Sequence, residues 1–146
     1  MNADQIDYVS VFRNLPTPVV LLTTDFMIMD ANTAHMRLSG RAREEVVGHF
    51  LFEAFPDNPS EPGVLGPGNL GESLRRVVDT REPDMMPLQR YDVEVPEHPG
   101  TYMERYWCTV NFPVSRPDGE VDYIIHMVEE VPDLIRKFVE AESAGA

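Results

Sequence analysis

The chain of 146 residues, 42% hydrophobic and 25% charged, is the size of one ordinary domain and can bury a core without metal or disulfide staples. Its 25 Asp and Glu against 12 Lys and Arg give a formal net charge of −13, which repels phosphate backbones and anionic lipid and argues against nucleic acid or a membrane surface as partner. No apolar run approaches the roughly 20 residues of a membrane helix, Cys108 has no second cysteine to pair with, and Asp4 and Asp7 stand where a secretory signal carries positive charge, so a soluble cytoplasmic chain is expected.

In chain order, Ile6, Val9 and Phe12 share one side at helical spacing after Asp4 and before Pro16 and Pro18, which predicts a short cap helix within residues 1–15. The apolar runs Val19 to Thr24 and Met27 to Met29 read as two paired strands. Asn32 can then cap a short helix that Gly40 ends, and a second one covers roughly Arg43 to Val47. From Pro56 to Gly68 turn residues are too dense for helix or central strand. Leu70, Leu74, Val77 and Val78 follow on one face of a longer helix, opposite Glu72, Arg75 and Arg76.

The second half is strand-like. Residues 86 to 95, 102 to 114 and 121 to 129 are rich in Val, Tyr, Ile and Thr, and turn clusters at Pro96 to Gly100 and Arg116 to Gly119 separate them, so three consecutive antiparallel strands are predicted. After Pro132, the residues Leu134, Ile135, Phe138 and Val139 set an apolar stripe on a terminal helix over 132–146, leaving 16–131 as the domain.

That order of elements, with its residues, resembles the PAS sensory domain. The resemblance is carried by the strand pair around Pro18 to Asp30, the run Asp30, Ala31, Asn32, Thr33, Ala34, the segment Glu44 to Gly48, the stretch Leu51 to Pro56, and the hairpin turn Pro117, Asp118, Gly119. It covers about Phe12 to Asp133 and implies an α+β fold, a five-stranded antiparallel sheet covered on one side by short helices. Three departures qualify it. Glu130, Val131, Pro132 and Asp133 stand where the family often ends its last strand with an acidic, aliphatic, Thr, Glu motif. The flavin-photoadduct members carry a reactive cysteine in an Asn, Cys, Arg motif, whereas Cys108 lies in a strand. Haem-binding members commonly supply a histidine from the long helix, and Leu70 to Thr80 contains none. Flavin photoadduct and His-ligated haem are therefore disfavoured, and the cofactor is left unspecified.

The Arg116 to Gly119 turn registers the last two strands, pairing Val114 with Val121, Asn111 with Ile124 and Thr109 with His126. One face then carries Arg105, Trp107, Thr109, Asn111 and His126, and the other the more apolar Tyr106, Val110, Phe112, Tyr123, Ile125 and Met127. We expect the mixed face to line a ligand pocket, since such sites join aromatic walls to a few convergent polar groups, and Arg105 to meet an anionic group of the ligand. Tyr91 on the first long strand joins this set, although Tyr91, Val93 and Val95 also suit a core. The converse assignment stays open, with Trp107 as core, Asn111 and His126 as hydrogen-bonded strand residues and Arg105 at the edge. His35, His49 and His98 are expected in exposed or capping places, and His126 alone as proton-sensitive. No histidine pair has metal-ligand spacing on a helix, and Ser39 and Ser73 lack the neighbours of a nucleophile, so no metal and no catalysis are expected.

The resemblance implies a sensory or regulatory module of a bacterial signal-transduction protein such as a sensor histidine kinase. Such a module senses a small-molecule ligand, pairs as a homodimer, or does both, and relays to a downstream kinase or other output domain. A ligand-free dimerisation module is the alternative, and a small cone-shaped α+β isomerase or cyclase the third reading.

Overall fold

Asp7, rather than Asp4, starts the first helix: its Oδ1 accepts from the Ser10 amide at 3.1 Å, capping α1 (Tyr8–Arg13). The computed structural model describes residues 2–55, 67–90, 93–131, 140–142 and 144, with only the backbone at 67–69, 87–90 and 93. Arg13, at the end of α1, pairs with Asp30 at 3.3 Å. Arg43 holds the other oxygen of Asp30 at 3.0 Å. The helix does not bury the side expected of it, because Ile6 and Val9 are exposed and Phe12 is only half-buried.

β1 (Val19–Leu22) and β2 (Ile28–Ala31) are the two early runs, paired antiparallel. Thr23 closes the turn between them, its Oγ1 accepting from the Met27 amide at 3.1 Å. Asn32 is the joint into α2 (Thr33–Ser39). Its buried Oδ1 accepts from the amides of His35 and Val19, each at 3.0 Å, while its Nδ2 donates to the Thr17 carbonyl at 2.7 Å. One side chain thus caps a helix and ties it to the strand entering the sheet. Gly40 ends α2 at φ +71°, where a side chain is strained, and a Cβ there would press on Pro96 Cγ at 3.2 Å.

α3 (Arg43–Val46) and α4 (Leu51–Ala54) follow, then α5 (Pro67–Thr80). The expected loop to Gly68 is shorter at its far end, because proline is at home in a first helical turn, where its missing N–H costs nothing. The rest of that loop, 56–66, lies outside the described residues. Leu74 and Val77 are fully buried, and Glu72, Arg75 and Arg76 face water, as the spacing predicts.

The first long strand is two pieces: β3 (Asp84–Arg90), and β4 (Val93–Glu94), which pairs with β5 (Tyr102–Met103) in a small separate hairpin over the Pro96 to Gly100 turn. Within β3 the ladder is interrupted between Met86 and Gln89, where Pro87 has no N–H to give. β6 (Tyr106–Ser115) and β7 (Val121–Glu130) complete a five-stranded antiparallel sheet in the order β2-β1-β7-β6-β3. The helices α2, α3 and α5 pack on one side of it. Leu22, Ile28, Val46, Leu74, Val77 and Ile124 form the centre of the core between the layers.

The β6/β7 register differs from the expected one by two residues. Asn111 opposes His126, Thr109 opposes Val128 and Val114 opposes Tyr123, with an irregularity at Val114/Ser115 beside the turn. That irregularity supplies one of the two residues, and the other comes from the turn, which closes on Arg116 and Glu120 rather than on Ser115 and Glu120. A slip of two keeps every side chain on its own face. The apolar stripe Leu134, Ile135, Phe138 and Val139 lies outside the described residues.

Candidate functional site

Every second residue of β6 and β7 points at the helical layer, and this inner face is polar at its centre. Trp107, Thr109, Asn111 and His126 are all buried there, with Ile124 and Val128 between them. Opposed in register, Asn111 Oδ1 and His126 Nδ1 lie 2.7 Å apart. Asn111 Nδ2 donates to Ser73 Oγ of α5 at 2.9 Å. Ser73 in turn donates to Asp84 at the start of β3, and Arg76, one helical turn further along α5, holds both Asp84 oxygens at 3.1 and 2.9 Å. A single chain of hydrogen bonds therefore runs from a buried histidine to a surface ion pair, across three strands and a helix. Asp84 is held below the usual carboxylate range by Arg76 first and by Ser73 next.

His35 faces the same interior from α2. Its ring meets Phe55 edge-on at 5.3 Å, and the Arg41 guanidinium lies 5.9 Å from the centre of that Phe55 ring. Burial lowers His35 to about 4. His126 is lowered to about 3, by burial and then by the charge His35 would carry. Both rings are neutral at ordinary pH. His126 therefore carries no charge near neutral pH, and His35 is buried rather than exposed or capping. His49 and His98 are exposed, as expected.

Of the six expected ligand residues, the fold brings together Trp107, Thr109, Asn111 and His126. Arg105 is not among them: it forms an ion pair with Glu130, so its charge is already met within the chain. Tyr91 lies outside the described residues. Sequence reasoning missed His35, Ser73, Asp84 and Arg76. The one available signal was that Ser73 shares the buried side of α5 with Leu74 and Val77, a polar residue on an apolar stripe. Among the described residues, no three His, Cys, Asp or Glu side chains are grouped to hold a metal ion.

The outer face of the same strands differs in kind. Val110, Phe112, Tyr123, Ile125 and Met127 are half-buried there, and Met85, opposite Val110, is 76% exposed. Asp30, which anchors α1 through Arg13, opposes Leu21 across β1/β2. No helix among the described residues is long and apolar enough to cross a membrane.

A five-stranded antiparallel sheet whose first strand pair is followed by a run of short helices, with its last three strands after them, is the frame that holds this polar interior. The model of the family described as PAS fold matches residues 12–136, and the chain belongs to that family. Among solved structures, it is similar to the PAS domain of a Colwellia psychrerythraea protein (10% identity, 85% of this chain and 93% of that chain, TM-score 0.63). It is also similar to the PAS domain of Bordetella pertussis BvgS (21%, 97% and 98%, 0.56). A third similar structure is the Vibrio cholerae VqmA dimer (18%, 92% and 53%, 0.60), and VqmA has also been solved bound to DPO. This chain thus spans about half of VqmA. No curated protein matches the sequence.

Proposed function

We propose that this chain is the sensory module of a bacterial signal-transduction protein of the sensor histidine kinase type. Its buried sheet face takes a small molecule, and its open face pairs with a second copy. The observation that carries the reading is the contrast between the two faces of β6 and β7: histidine, asparagine and threonine turned inward, an apolar surface turned outward. A sheet serving only as a wall would be arranged the other way round. Polar groups inside a core destabilise it unless they are paired or used. An apolar open face is characteristic of an interface. Support also comes from VqmA, a similar protein solved both as a dimer and with DPO bound. Binding and relay are assigned to the chain, and no catalytic step. The apolar stripe after Pro132 is the relay to the output domain.

The test pairs a thermal-shift screen with sedimentation. A bound molecule at a hundredfold excess over its dissociation constant stabilises the fold by about 2.7 kcal/mol. The reading predicts at least one such molecule and a dimer at micromolar concentration. A chain that no small molecule stabilises and that sediments as a monomer would contradict it.

A further inference from the structure

The hydrogen bonds behind His126 can run in one direction only. Arg76 donates to both oxygens of Asp84, so that carboxylate is ionised and can only accept. The Ser73 hydroxyl proton must then point at Asp84, which leaves the Ser73 oxygen to accept from Asn111 Nδ2 at 2.9 Å. With its amide nitrogen so used, Asn111 presents Oδ1 to His126 at 2.7 Å, and a carbonyl oxygen pairs only with an N–H. The ring proton of His126 therefore sits on Nδ1. A neutral imidazole has one such proton, so Nε2 is a bare acceptor. No donor among the described residues reaches it. The His35 ring, 8% exposed and set edge-on to Phe55, turns its own polar atoms toward the same interior.

We infer that His126 Nε2 is the recognition point for an uncharged small molecule that donates a hydrogen bond, through a hydroxyl or a ring N–H, with the His35 imidazole as its second polar contact. This rests on the ligand-binding reading above and narrows it to a chemical class. A carboxylate or phosphate would meet the Nε2 lone pair instead of a donor, and would enter a neutral interior without a counter-charge. Arg105, which could have supplied that charge, is committed to Glu130. A cation would lose its hydration to the same apolar surroundings. Asp84 and Arg76, at the surface end of the chain, act on the site by fixing the tautomer rather than by touching the ligand.

Two measurements on the full chain test this. Long-range proton–nitrogen spectra of the histidine side chains at pH 7 should show His126 as the Nδ1–H tautomer, and an Nε2–H tautomer overturns the inference. Binding is then compared within matched pairs of probes: phenol against anisole, pyrrole against N-methylpyrrole, benzyl alcohol against its methyl ether. The donor of each pair should bind about tenfold more tightly and move the His126 Nε2 resonance. Equal binding within pairs overturns the inference while the ligand-binding reading stands. If no probe and no member of a wider small-molecule screen binds, the ligand-binding reading falls and the inference with it. Ser73→Ala, which releases the Asn111 amide, should give a mixture of His126 tautomers, and an unchanged tautomer there overturns the assigned cause.

Discussion

The two faces of β6 and β7 alternate residue by residue along the same backbone, yet they are held by different forces. Inward, Asn111 and His126 are fixed by directed hydrogen bonds that reach through Ser73 to Asp84. Outward, Val110, Phe112, Ile125 and Met127 offer area without direction. The inner face consequently carries uniqueness and much of the cost of error, because a lost partner leaves a buried group unpaired. The outer face offers apolar area, where loss of one side chain removes area and little else. Which of the two a substitution disturbs is decided by the parity of its position.

Acid should separate the faces most strongly. The unfolded chain takes up protons on His35 and His126 near pH 6.5, while the folded chain resists until about 4 and about 3. Folding stability is therefore complete above about pH 6.5 and falls as the pH drops below it, by about 2 kcal/mol for each histidine at pH 5. Urea titrations at pH 7 and pH 5 check this, and His35→Phe should remove its share of the slope. A stability unchanged between the two pH values would show that neither ring is buried neutral.

Asn111→Ala comes next. It leaves His126 Nδ1–H unpaired and takes from the Ser73 oxygen the donor it accepts from, around a small void, and should cost about 3 kcal/mol in urea unfolding. Ser73→Ala removes one link and should cost about 1 to 2 kcal/mol by the same assay. On the outer face, Met85→Gln should move stability by less than about 0.5 kcal/mol, since Met85 is 76% exposed. Its effect should appear instead as weaker self-association in sedimentation. A Met85→Gln chain as destabilised as Asn111→Ala would erase the distinction between the faces.

Much of this was legible in the sequence, for reasons that can be named. Face membership follows from a period of two, which survives even the two-residue error in register. That error came half from the irregularity at Val114/Ser115 and half from a turn one residue tighter than expected, neither of which has a residue signature of its own. Asn32 was readable as a cap because it precedes a helix, but its grip on Val19 and Thr17 is a tertiary fact. His35 was misplaced because α2 is only Thr33–Ser39, too short for its period to show which side is buried. Arg105 looked free because Glu130 is 25 residues away in sequence, and Ser73 looked idle because Asn111 is 38 away. Pairings of that range are made by the fold.

The central claim is that the buried face of β6 and β7, on which α5 packs, is where this domain meets its signal. Crystals soaked with the small molecules that raise its thermal stability test that claim most directly. The account predicts density against His126 and His35, under the helical layer. Density confined to the outer face, beside Met85 and Val110, would contradict it.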